Sequence, residues 1–165
     1  MVGTATESQF VTFSLENECF AVPVEVVREI LDHEEPFKIP HGPAYLLGLR
    51  DVRGKGVPVI DLRLRLGMTP TQKTAHTRIL VIHVPIKGRA ITLGLLADRV
   101  FEVTAFRSDA IEGAPDIGSR WPSEYIAGVV RRASDFVVIV DLANLFAEHD
   151  ASVLASVAKT DPEPA

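Results

Sequence analysis

The sequence predicts an all-β protein (in the main) made from two copies of one small unit, and three observations point there. Short apolar runs, alternating or β-branched, recur along the chain between turns marked by Gly, Pro and Asn. The stretch Tyr45–Leu62 returns 80 residues later, without a gap, as Tyr125–Leu142. The turns fall at near-regular spacing, which suits small barrels or sandwiches better than a parallel α/β sheet.

The elements follow in order. In Phe10–Leu15, Val11, Phe13 and Leu15 share one face of a half-buried strand. Glu16–Glu18 turns the chain into a second strand over Cys19–Val22. Pro23 suits a first helical position, and Val24, Val27 and Leu31 then line one face of a short helix. Pro36, Pro40 and Pro43 impose a loop before Tyr45–Val52, and Gly54–Gly56 is the predicted turn into Val57–Asp61.

Thr69–Thr77 is polar and reads as a linker. Arg78–Val84 has the composition of a strand buried on both faces, and Gly88 leads into Ala90–Ala97 and then Val100–Ala105. Gly113–Pro122 is a Gly/Pro-rich loop, Tyr125–Arg132 and Phe136–Val140 form a hairpin, and Leu142–His149 is a terminal helix. The expected boundaries are a disordered 1–8, a first subdomain over 9–68 with the helix 141–149 packing back on it, a linker 69–77, a second subdomain 78–140, and a disordered tail 150–165.

The repeat is specific. Tyr45/Tyr125, Gly48/Gly128, Val57/Val137, Asp61/Asp141 and Leu62/Leu142 are identical at the offset of 80. Upstream, Phe20–Ile30 matches Leu93–Val103 at an offset of 73, with Val27/Val100 and Glu29/Glu102 identical. Chance likeness of amphipathic strands would match apolar positions, but not Tyr, Gly and Asp at fixed spacing. Each glycine is expected to permit a bulge or a close backbone approach, and each aspartate to cap the helical turn after its strand.

Composition narrows the function classes. A net charge of −5 argues against nucleic acid as the main ligand. The single Cys19, between apolar neighbours, excludes an internal disulfide framework and reads as a small buried hydrophobe. No signal peptide is visible, and no apolar run is long enough to span a bilayer, so a cytoplasmic protein without direct membrane insertion is expected.

None of His33, His41, His76, His83 and His149 forms a close ligand pair, so no metal is expected. Gly54-Lys55-Gly56 lacks the spacing and hydroxyl of a phosphate loop, and no nucleophile elbow is present. The chain is therefore read as a non-enzyme without cofactors. The cluster Arg50, Arg53, Lys55, Arg63 and Arg65 leaves a small-barrel nucleic-acid binder as the alternative. Yet Tyr45 is the one aromatic beside it, and Arg63 and Arg65 alternate with leucines as a solvated face would.

Gly48–Asp61 (GLRDVRGKGVPVID) with Leu62-Arg63 resembles the signature of the bacterial chemotaxis coupling proteins, the CheW family. Phe10–Leu15, Val24–Ile30, Gly94–Val103 and Ile126–Gly128 extend the resemblance over Gln9 to Phe146. Asp51 stands where that family often has Asn. The resemblance implies two SH3-like five-stranded β-barrel subdomains with short helices and a shared apolar core. It implies an adaptor joining the cytoplasmic tip of a methyl-accepting chemoreceptor to the regulatory domain of the histidine kinase CheA. Such an adaptor is a monomer when isolated and is recruited to membrane-bound receptor arrays, flagellar or of another kind such as pilus motility. By the same resemblance, receptor contacts fall near Val27, Glu29, Val100 and Val103, and kinase contacts near Tyr45, Leu46, Gly48 and Arg53. For Val27 and Val100, simple core packing is the alternative.

Overall fold

In a computed structural model, which describes residues 6–40, 42–113, 123–146, 150 and 153–156, strands succeed one another along most of the chain. β1 (Glu7–Leu15) and β2 (Glu18–Pro23) form a hairpin turned at Glu16, whose φ is +58°. Alternation sends Val11, Phe13, Leu15, Phe20 and Val22 into one apolar cluster, while Phe10, Cys19 and Ala21 enter another on the opposite face.

Val24–Val26 makes a single 3-10 turn and β3 (Val27–Asp32) follows, so the helix expected over Val24–Leu31 is replaced by a turn and a strand. The spacing of its apolar residues suited a helix. However, Val24, Val26, Val27 and Ile30 are β-branched, stiff at χ1, and better placed on a pleated surface. β4 (Leu46–Val52) and β5 (Lys55–Asp61) form the next hairpin. Its turn residues are Arg53 and Gly54, at φ +53° and +83°, one residue earlier than the expected Gly54–Gly56. The one-turn helix α1 (Leu62–Arg65) starts where the Asp61 carboxylate accepts from Arg63 N, the cap expected of that residue.

The second half repeats this plan: β6 (Arg78–Ile86), β7 (Arg89–Ala97), β8 (Arg99–Arg107), the two-residue β9 (Ile111–Glu112), β10 (Ile126–Arg131), β11 (Phe136–Val140) and α2 (Leu142–Leu145), capped by Asp141. The Gly113–Pro122 loop lies, from residue 114, outside the described residues. β1 begins at Glu7 and pairs with β8 from that residue, so order starts before the expected position 9. At the other end Asp150 and residues 153–156 are helical, and Leu154 is fully buried in the central cluster; the rest of the tail expected to be disordered from 150 lies outside the described residues.

Two curled sheets result, in keeping with the expected SH3-like pair. One runs β8-β1-β2-β11-β10-β9 and the other β3-β6-β7-β5-β4. The sheets do not follow the sequence halves. β1–β2 joins the later strands of the second half, and β6–β7 joins β3–β5 of the first, so the expected division into 9–68 and 78–140 does not match the sheets. The exchange is made by two parallel pairings, Ala21 with Ile139 and Gly94 with Val59, related by the same offsets of 73 and 80 that relate the sequences. Because both copies share one register, a hairpin fits the other copy's strands as well as its own, and alternation carries no record of which it joins.

The central apolar cluster lies between the sheets and draws on both hairpins, β5, α1, β11 and α2. Smaller clusters fill the opposite face of each sheet, around Phe106, Val130 and Val137 in one and around Val59, Ile79 and Leu96 in the other.

The repeated glycines behave alike. Register shifts lie between Leu46 and Gly48 on β4 and between Ile126 and Gly128 on β10, a bulge at the same place in each copy. A Cβ on Gly48 would stand 2.0 Å from the Phe37 carbonyl oxygen, and on Gly128 2.5 Å from Ile111 Cγ2. Gly48 also holds φ +149°, whereas the nearest contact at Gly128 is with a side chain and the backbone there, Glu112 O, is at 3.2 Å. Gly48→Ala should therefore destabilise by about 2–4 kcal/mol and Gly128→Ala by about half of that, read from denaturant unfolding. Equal losses would show that the backbone contact at Gly48 is not what sets the cost.

Candidate functional site

The segment Asp61–Arg65 builds a scaffold before it builds a surface. α1 turns Arg63 inward, where it is 9% exposed. Its guanidinium donates to Asp98 Oδ2 at 2.9 Å, Glu16 Oε2 at 3.2 Å, and Thr69 O and Oγ1 at 2.9 and 2.6 Å. One side chain thus ties the β1–β2 turn, the β7–β8 turn and the chain leaving α1. Asp61 holds that same stretch, accepting from Thr71 N and Thr71 Oγ1 as well as from Arg63 N.

Arg65 sits among three rings, its guanidinium carbon 5.6 Å from Tyr45, 5.1 Å from Tyr125 and 5.8 Å from Phe146, with Asp150 at 3.8 Å. Cation–π contact and the nearby carboxylate stabilise the charge there. Tyr45 donates its hydroxyl to Asp150 Oδ1 at 2.5 Å, and burial followed by this bond pushes its phenol well above the usual range. The expected solvated face of Arg63 and Arg65 is therefore corrected. The alternation with leucines is that of a one-turn helix whose polar side meets carboxylates and rings from distant parts of the chain.

Of the residues assigned to a kinase surface, Leu46 and Gly48 are buried and Tyr45 is half-buried, engaged with Arg65 and Asp150. Arg53 is the outward one, its side chain 82% exposed and its guanidinium 3.5 Å from Glu29 of β3. Arg50 crosses the same gap to Asp32 O at 2.7 Å and Glu34 at 3.3 Å, so two arginines of the β4–β5 hairpin reach across to β3 and beyond. Asp51 accepts from Gly54 N at 2.8 Å, a bond an asparagine oxygen also makes, so the departure from Asn leaves the turn intact and adds a negative charge.

Arg53 occupies the first turn position at φ +53°, where Asn, Asp or Gly sits without strain and an arginine costs about 1 kcal/mol. The matching hairpin of the second half has Ala133 at the offset of 80, in a longer turn, 132–135, without positive φ and held by the forked pair Arg132–Asp135 at 2.7 and 2.8 Å. Folding does not call for an arginine at 53.

Of the residues assigned to a receptor surface, Val27 and Val100 are half-buried against the central cluster, one from each sheet. Val103 is 52% exposed. Sequence reading missed Ile30 and Phe101, exposed large apolar side chains on β3 and β8, and Phe37, the most exposed large apolar side chain among the described residues. Ile30 was detectable, since it is the repeat partner of Val103. β3 and β8 are both edge strands, and each carries a register shift, at Val27/Glu29 and opposite Val11/Phe13, a device that bends an edge away from unwanted pairing.

The described residues hold no group of three or more ligating side chains able to take a metal ion. Burial pushes the Cys19 thiol up, with Arg132 acting in the opposite sense, which disfavours a thiolate. His83 bonds Thr92 Oγ1 at 2.7 Å, a satisfied structural histidine. The arrangement suits contact with other proteins.

Comparison with known proteins agrees. Residues 9–150 match the model of the CheW-like domain. A probable chemotaxis protein CheW of Rhizobium etli is 32% identical over 142 residues, covering 86% of this chain and 89% of the relative. The chemotaxis protein CheW of Treponema pallidum is 28% identical, covering 90% and 88%. The crystal structure of the scaffolding protein TtCheW from Thermoanaerobacter tengcongensis superposes with a TM-score of 0.76 at 28% identity, covering 87% of this chain and 90% of that one.

The Tyr45–Asp150 contact can be titrated. A phenol whose folded-state value is raised contributes stability that is complete below the unfolded value of about 10 and lost as pH rises through the folded one. In a Tyr125→Phe background Tyr45 is the sole tyrosine. Its phenolate absorbance should then appear only above the ordinary range, and Asp150→Asn should bring it part of the way back. Ionisation of Tyr45 at the ordinary value would exclude the contact.

Proposed function

Because this chain belongs to the CheW-like domain family, we propose that it is a non-catalytic coupling protein, joining the cytoplasmic tips of methyl-accepting chemoreceptors to the regulatory domain of the histidine kinase CheA. The observation that carries the proposal is Arg53, an exposed arginine held in a strained turn position, paired with Glu29 and absent from the equivalent turn of the other half. A residue that costs stability and that the duplicated fold does without is best explained by what it meets outside the molecule.

A coupler needs two surfaces and no chemistry. The receptor side is assigned to the β-branched edges of β3 and β8, with Val27 and Val100 at the margin of the central cluster and Ile30, Val103 and Phe101 exposed. A helical hairpin lays its apolar face on such a surface. Glu29 of β3 belongs to this receptor side, and the kinase side is assigned to the β4–β5 turn with Arg53, which the pair with Glu29 sets beside it. Tyr45, Leu46 and Gly48 serve this side from beneath, by fixing the strand that ends in the turn. The protein is monomeric when isolated, binds no nucleotide, and reaches the membrane only through receptor arrays.

Arg53→Glu should leave the melting temperature nearly unchanged, since an exposed pair contributes about 0–1 kcal/mol. The same variant should abolish receptor-stimulated CheA activity in a reconstituted array. The charge swap Glu29→Arg with Arg53→Glu should restore part of it. Full kinase activation by Arg53→Glu alone would exclude an assembly role for Arg53.

A further inference from the structure

Phe37 stands out on the surface of the second sheet, 73% exposed. It lies between β3 and β4 and is not free to swing, because its N–H donates to Leu49 O and its carbonyl accepts from Leu49 N, both at 2.8 Å. Gly48 lies under that carbonyl with no room for a Cβ. The backbone that carries the ring is thus fixed on the outer side of β4, a strand at the edge of its sheet.

Single exposed hydrophobic side chains are ordinary and carry no message by themselves. Here the duplication supplies a control. Leu49 corresponds to Val129 at the offset of 80, and Val129 is bridged by Glu112 of β9 in the same way that Leu49 is bridged by Phe37. The carbonyl over Gly48 is that of Phe37, and the carbonyl 3.2 Å from a Cβ on Gly128 is that of Glu112. The same backbone site therefore carries an exposed carboxylate in one half, paired with Arg131 at 2.9 Å, and an exposed phenyl ring in the other. The fold accepts a charge at this position, so packing does not demand the ring. An aromatic on pre-ordered backbone buries a large area on contact at little cost in ordering.

The surroundings select the partner. Arg53, the turn residue just past β4, lies four residues from Leu49, roughly 13 Å at strand rise. Lys38 follows Phe37 directly and Lys55 lies across the turn, both exposed, while the carboxylates just before the ring, Glu34 and Glu35, are paired with Arg50 and Lys73. A ring flanked by exposed cations fits an apolar socket bordered by carboxylates on a folded protein. We propose that Phe37 is the anchor of the kinase-facing surface, entering such a socket on the regulatory domain of CheA; this rests on the coupling function proposed above. The Arg53 turn then forms the polar border of the same contact.

Phe37→Glu tests the assignment, because it copies the residue the second half already holds at this site, and Phe37→Ala provides a second variant without added charge. With full-length CheA from the same organism, calorimetric titration should show binding by the wild type that weakens about tenfold or more in both variants, with unchanged melting. Wild-type affinity should also fall as salt is raised, as charge complementarity requires. Kinase binding within about twofold of wild type in both variants would remove Phe37 as anchor and leave the coupling function standing. Wild-type protein that binds no CheA would overturn the coupling function and this proposal together. Sedimentation showing a wild-type dimer that Phe37→Glu dissociates would assign the ring to a second copy of this chain instead.

Discussion

Two short parallel pairings, β2 with β11 and β7 with β5, hold the molecule in its form. Each joins a hairpin from one half of the chain to strands of the other, so neither sheet is complete without both halves. The central cluster follows from this exchange, since each hairpin presents one face to the small cluster of its sheet and the other to the space between the sheets. Arg63 then pins the β1–β2 and β7–β8 turns together through Glu16 and Asp98. Separation of the sheets would strand these charges, and removal of one partner of a buried charged pair is far costlier than the net worth of the pair. The unit of stability is the whole chain, not the half.

Much of this was legible in the sequence, and the exceptions share a cause. Glycines at the bulges, aspartates at the caps and the hairpin strands are local features, set by dihedral preference and alternation. The Glu29–Arg53 pair was also inferable, from the combination of repeat and family motif. Hidden from sequence were facts about partnership. Alternation places Phe20 inward without saying which half supplies the rest of the sheet. Arg63 and Arg65 looked solvated because their partners lie at residues 16, 69, 98 and 150, and in rings brought in from three other segments. Phe37 sits in a proline-rich stretch without periodicity, where no pattern separates an exposed ring from a buried one.

The two copies have diverged in a way that separates fold from use. Gly48/Gly128 and Asp61/Asp141 do the same work in both halves, at a bulge and at a cap. Phe37 against Glu112 and Arg65 against Leu145 differ where the backbone is alike, and Arg53 against Ala133 differs in a turn whose length has also changed. Arg65 has an internal reason, the ring cage and Asp150. Arg53 has only an exposed pair with Glu29 and Phe37 has none, and both lie on the outer side of one hairpin. Several residues that the family motif brings to notice, Tyr45, Leu46 and Gly48, prove to be the support under that side.

The exchanged hairpins also govern the order in which the chain can fold as it is synthesised. The second sheet uses only residues 27–97, and all of its strands exist once β7 has emerged. β1 and β2 are made first, yet their place in the other sheet is not complete until β11 has been added at residue 140. At about 5–20 residues per second, the edge of β2 that takes β11 waits roughly 6–23 seconds for its partner. During that interval the early-made strands resemble an unpaired edge, the kind of surface on which nascent chains associate wrongly or are held by chaperones. A permuted chain that began at β3 and ended with β1–β2 would make its last hairpin when the acceptor strands are already present.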